Sequence, residues 1–189
     1  TDHVLSERRL GTLGVLSRRL GEATDAEHVR RLAAAVLGSN PQDHPVVTMV
    51  DARDLPDPVD LDVPEELRAD VLSAAAEAVR RRCQIHQDLP TPVRVSDAPG
   101  ALAVDGLHAL PVTLPSDAAI SAVLVVGRSE HRRWDPALAT YLALCVTHLG
   151  TALSAIRELD TERQRAQTLE ALDIAKSAFF TNIMEYGAV

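Results

Sequence analysis

At 189 residues the chain has room for one domain of ordinary size and an appendage, and two full domains would be cramped. Apolar residues at 46% and charged residues at 24% exclude a disordered chain or a fibrous repeat, while aromatic residues at 3% leave few rings to stack on a base, a flavin or a sugar. A formal net charge of -8 repels phosphate backbones and anionic lipid, so neither nucleic acid nor a membrane surface is an expected partner.

Within that acidic balance, Arg80, Arg81 and Arg82 read as the close of a helix, and Arg128, Arg132 and Arg133 as decoration of a loop. Cys83 and Cys145 are isolated, which fits a reducing compartment and predicts two buried small apolar side chains. No run reaches about 18 uninterrupted apolar residues, and TDHVLSERRL lacks the apolar core of a signal peptide. With Thr1 in place of Met, the expectation is a cytoplasmic piece of a longer protein.

Leu5, Leu10, Leu13, Leu16 and Leu20 fall at near-helical spacing over residues 4–21, with Gly11 and Gly14 weakening the helix locally. A second helix is predicted from T-D-A-E, with Thr24 as cap and Glu27 reaching back; it buries Val29, Leu32, Val36 and Leu37 and stops at Gly38. VVTMV, residues 46–50, reads as a strand between turn formers. DARDLPDPVDLDVP then carries five Asp and three Pro in fourteen residues and predicts a loop or irregular edge. A third helix is expected over residues 64–82, with Pro64 in its first turn and Leu67, Val71, Leu72 and Val79 on its apolar face.

Two short strands are expected at Cys83–His86 and Val93–Val95, separated by DLPTP. GLHALPVTLP and ISAVLVVGR, joined by SDAA, predict an antiparallel hairpin whose AVLVV run is apolar on both faces and needs cover on each side. A last helix opens at W-D-P, with Asp135 as cap and Pro136 in the first turn. Nothing but Gly150 interrupts Leu138 to Ile183, which allows one helix of about 65 to 70 Å. Leu142, Cys145, Leu149, Ala152, Ile156 and Leu159 form its first seam. Leu169, Leu172, Lys176, Phe179 and Ile183 form a second one after a polar slip near residues 163–166. A thin apolar seam on so long a helix is stable only against a partner, and a parallel two-stranded coiled coil is the leading arrangement.

This order of elements resembles a GAF domain, a sensory fold related to PAS, over roughly residues 5–160. The resemblance implies an α+β fold: an antiparallel sheet flanked by helices, with a long C-terminal coiled-coil helix. T-L-E-A-L-D-I-A-K-S-A-F-F-T-N-I, residues 168–183, is similar to the linker and opening of the dimerisation helix in bacterial sensor histidine kinases, including hybrid ones. That similarity implies a homodimer in a two-component phosphorelay, with kinase output domains in the parent chain and a response-regulator receiver as partner. After Asn182 and Ile183 the text departs: MEYGAV holds no phosphoacceptor His, and the Asn-rich and Gly-rich boxes of the ATP-binding domain are absent. The expected layout is an N-terminal, dimer-forming helix at 1–22, a GAF-like sensory domain at 23–160, a signalling coiled coil and start of the dimerisation helix at 161–183, and a tail at 184–189 that departs from the family. Leu10, Leu13, Leu149, Ile156, Leu159, Leu169, Leu172, Phe179 and Ile183 are the candidates for the dimer interface.

For chemistry within this stretch the text offers little. The seven His show no H-E-x-x-H and no paired ligand spacing, and neither phosphate-loop motif occurs, so no catalytic residue, metal or cofactor is expected. His108 shares a strand face with Leu110, Val112 and Leu114. In members of the resembled family that bind a ligand, the pocket lies between the sheet and the elements covering one face. His108, Leu110, Val112 and His86 are therefore the pocket candidates, with His108 placed to donate a hydrogen bond or ligate haem, or else to be a buried His satisfied by backbone. The expected function is a sensor or relay that passes a change in helix packing to a kinase. The alternatives are a small-molecule receptor in which dimerisation is secondary, or a GAF module of a phosphatase or transcription regulator.

Overall fold

The structure is a computed structural model; it describes residues 2–55, 61–95, 102–129 and 134–186, with side chains given from 7 to 180. Ile183, the tail from Met184, and His131, Arg132 and Arg133 therefore lie outside the described side chains. In chain order the elements are α1 (Asp2–Leu20), α2 (Ala26–Leu37), β1 (Val47–Asp51), α3 (Glu65–Arg81), β2 (Ile85–Arg94), β3 (Ala103–Leu114), β4 (Asp117–Ser129) and α4 (Pro136–Tyr186). The chain divides into two compact units, Thr1–Ser154 and Ala155–Val189.

All described strands join one antiparallel sheet in the order β1-β4-β3-β2. The hairpin of β3 and β4 is its spine, as the sequence predicts, but the turn is tighter than SDAA. Leu114 pairs with Asp117, so Pro115 and Ser116 make the turn and Asp117–Ala119 belong to β4. The two short strands expected around DLPTP are one strand, β2, with a register shift between Asp88 and Val93 that absorbs Pro90 and Pro92 at the sheet edge. Pro111 lies in β3, where a missing N–H would break a central ladder. It is tolerated because β2 begins opposite Ala109, leaving that side of β3 unpaired beyond it.

One face of the sheet packs on α3. Leu67, Val71, Ala74, Ala75 and Ala78 meet Leu107, Ala109, Val123 and Val125 in a core of aliphatic side chains. Small alanines let α3 lie close to the sheet, which explains why they, rather than Leu72 and Val79, take its most buried positions. Arg82 ends α3 in the left-handed region at φ 55°, and Cys83, expected inside, is exposed at the junction with β2.

The other face carries His108, Leu110 and Val112 from β3 with Leu124 and Val126 from β4, and α4 lies across it. Asp135 caps α4 by accepting a 2.6 Å hydrogen bond from the Leu138 N–H. Gly150 marks the close approach, since a Cβ there would strike the Thr113 carbonyl oxygen. Leu138, Tyr141, Leu142, Cys145, Leu149 and Leu153 are all buried. Among the described residues α4 is the one helix long and apolar enough, by length and composition, to cross a membrane; its best window has mean hydropathy 1.4 and is 44% buried within the protein.

The cap of α2 is Asp25 rather than Thr24. Its carboxylate accepts the His28 N–H at 2.7 Å, which holds that carboxyl below the usual range, while Thr24 donates its hydroxyl to Asp25 and its N–H to the His28 ring. Glu27 pairs with Arg30 instead of reaching back. Val29, Ala33 and Leu37 are buried, and Leu32 and Val36 are half-buried beside α1.

Candidate functional site

The sheet register sets His86 of β2 directly opposite His108 of β3, so both rings project from the face that α4 covers. Their Nδ1 atoms meet, one ring donating and the other accepting. Trp134, two residues before α4, lies over both, its ring 4.8 Å from His86 and 4.0 Å from His108 between centroids. His86 sits at the exposed rim, while His108 is enclosed at 3% exposure. Around them, Arg128 of β4 donates to Asp105 of β3 at 2.8 Å and to Asp88 of β2 at 2.7 Å. Arg128, expected on a loop, is thus a strand residue that ties three strands together. Burial, followed by the charges of His86 and Arg128, pushes His108 down to about 3, so the ring is neutral at pH 7. His86 is also lowered, chiefly by burial.

A third histidine approaches the same place from the segment before β1. His44, 3% exposed, stacks parallel to Tyr141 of α4 at 6.0 Å, and burial with the nearby charge of Arg9 lowers it to about 4. His44 and His108 line one crevice with Asp43, Val126, Arg128, Ser129, Trp134, Leu138 and Leu142. Neither buried Nε2 has a hydrogen-bond partner among the described residues. The crevice volume, about 10 Å³, admits one water molecule and no porphyrin.

Leu110 and Val112 share this face and are fully packed, so the predicted pocket residues do come together, on a surface filled by α4. Sequence reasoning missed His44, Trp134 and Tyr141. D-H-P reads as a turn and W-D-P as a helix start, and no local spacing connects them to His108. Burial raises the Cys145 thiol to about 12, where it stays protonated. No group of three potential metal ligands occurs among the described residues.

A larger space lies at the other end of the sheet. A cleft of about 1010 Å³ runs along β1, between Glu27, Arg30, Arg31 and Ala34 of α2 and the segment Leu61–Pro64. Arg30 there is engaged by Glu27 and by Asp54 at 3.7 Å.

In the second unit every described side chain from Arg157 to Phe180 is exposed. Leu159, Leu169, Leu172 and Phe179 stand 52 to 67% open, flanked by Ile174 and Phe180. Of the other interface candidates Leu10 is exposed and Leu13 half-buried, whereas Leu149 and Ile156 are buried within the chain. Leu149 is fully enclosed, so it belongs to the domain's own core and offers nothing to a partner.

Neither a protein-family profile nor a curated protein matches the sequence. Solved structures do. The GAF domain of a phosphoenolpyruvate-protein phosphotransferase from Coxiella burnetii is similar with TM-score 0.58 and 12% identity, over 82% of this chain and 98% of that one. The free methionine-R-sulfoxide reductase of Neisseria meningitidis, solved with its substrate, gives 0.58 and 16%, over 82% and 93%. The GAF domain of the potassium sensor histidine kinase KdpD from Escherichia coli gives 0.54 and 13%, over 80% and 96%. The fold is GAF-like: an antiparallel sheet flanked by helices, with a long C-terminal helix. It is shared by a transferase module, an enzyme and a kinase sensor, so by itself it assigns no activity.

Proposed function

We propose that the chain is a regulatory relay domain of a cytoplasmic sensor histidine kinase, dimerising and passing a change in helix packing along α4 to an output domain. The observation that carries this reading is the apolar seam of Leu159, Leu169, Leu172 and Phe179 on a helix that keeps its regular form while those side chains stand open. A solvated helix of that length with one apolar stripe gains stability by laying the stripe against an equal stripe on a second copy. The text from Leu172 to Ile183 that resembles a kinase dimerisation helix supports a kinase, including a hybrid one whose phosphate passes to a response-regulator receiver. The chain itself performs no catalysis in this reading. A packing change travels along such a helix because side-chain interdigitation has discrete alternatives.

Light scattering at micromolar to high micromolar concentration tests the dimer. A two-chain mass that falls to one chain in Leu172→Glu/Phe179→Glu is the expected result, and a monomer throughout removes the reading.

The cleft along β1 favours a second reading, a small-molecule receptor in which dimerisation is secondary. A thermal-shift screen separates the two. A true ligand at about 100 times its dissociation constant stabilises by about 2.7 kcal/mol, and arginine substitutions in that cleft would abolish the shift without changing the oligomeric state.

A further inference from the structure

At the start of α4, besides its apolar contacts, two aromatic rings rest on histidines of the sheet and of the segment before β1. Trp134 rests on His86 and His108, Tyr141 rests on His44, and Leu138 and Leu142 wall the crevice that His44 and His108 also line, the buried Nε2 of each without a hydrogen-bond partner among the described residues. We propose that His86, His108 and His44 form an acid-released latch on the first turns of α4. The proposal rests on the relay reading only for its consequence, because α4 is there the element that carries the signal.

Burial favours neutral rings, and Arg128 and Arg9 act in the same sense, while the carboxylates of Asp88 and Asp105 oppose them at His108. A proton on His108 makes both ring nitrogens donors while His86 already occupies one side and Arg128 stands nearby. Asp88 and Asp105, the carboxylates of β2 and β3, are engaged by Arg128. A proton on His44 faces Arg9 of α1, whose own carboxylate partner, Asp135 at 3.7 Å, also caps α4. Asp43 is the remaining carboxylate on the crevice wall; Tyr141 and Cys145 of α4 stay protonated, both pushed upward by burial. A buried cation is relieved most directly by letting solvent in, which means lifting Trp134 and Tyr141 with the first turns of α4.

The sign follows from the closed form holding the rings at about 3 and about 4 against an ordinary 6.5. The latch is fully closed above about pH 6.5 and weakens as pH falls toward those lower values. One pH unit below 6.5, each ring shifts the balance toward opening about tenfold, and the two buried rings together about a hundredfold.

Trp134 is the only tryptophan in the chain, so its fluorescence reads the latch directly. Emission and acrylamide quenching are measured from pH 7.5 to 4.5 on the whole chain, with far-UV circular dichroism in parallel. The expected result is a red shift and several-fold greater quenching below pH 6, with helicity retained, both suppressed in His44→Gln/His108→Gln. If that variant does not fold, the histidine ring resonances of the unaltered chain take its place; rings at 44 and 108 that stay unprotonated down to the transition, then titrate together with the Trp134 change, give the same support. No Trp134 change, a change accompanied by loss of helicity, one that persists in the variant, or rings titrating independently of it would each overturn the latch. Failure of the relay reading shows separately, as a monomer at pH 7.5 in light scattering.

Discussion

Asp135 serves two partners with one carboxylate oxygen, accepting the Leu138 N–H as a helix cap and standing 3.7 Å from the buried guanidinium of Arg9. The two roles separate by substitution. Asp135→Asn keeps a good cap and loses the charge; because Asp135 is about half exposed, solvent screens the pair and the loss should stay below about 1 kcal/mol. Asp135→Ala loses the cap as well and should cost about 1 to 2 kcal/mol. Urea unfolding of the two variants checks the order, and an Asn variant as damaging as Ala would place the dominant role on the Arg9 contact. The cap was legible from W-D-P, because a cap acts within three residues of itself. Arg9 was not, nor was the meeting of His44 with His108 in one crevice, because those partners lie in separate elements and only the packing of α1 beside α2 and of α4 on the sheet brings them together.

The hairpin of β3 and β4 was the most readable element, since its apolar runs are long and both faces are buried. Strand β2 was misread as two because most of its residues are exposed and its Pro90 and Pro92 sit at a bulge, so neither alternation nor continuity survives in the text. Gly150 carries a different lesson: within a helix it reads as a weak point, yet it is where α4 touches the sheet. Ala in place of an exposed helical Gly gains up to about 1 kcal/mol. Here the added methyl would meet the Thr113 carbonyl, and overpacking of this kind costs about 1 to 3 kcal/mol. Gly150→Ala should therefore lower stability in spite of its better propensity. A thermal melt that rises instead would mean that α4 can shift on the sheet without cost.

At the scale of the whole molecule, burial ends abruptly. Among the described side chains of α4 the last buried one is Ile156, and Arg157 to Phe180 are all exposed. The first unit has its own core on both faces of the sheet, so its stability should not depend on the residues beyond about 160. If those residues pair with a second copy, their helix gains its stability from association, and mass action makes that part of the melt depend on concentration. The expected outcome is a two-step thermal unfolding of the whole chain. The helical signal of residues 157–186 melts first and moves upward with protein concentration, and the sheet domain melts later at a fixed temperature. A chain ending at Asp160 should retain the second step within a few degrees and lose the first. Loss of both steps on truncation would show that the long helix stabilises the domain itself, and a first step indifferent to concentration would show that it stands without a partner.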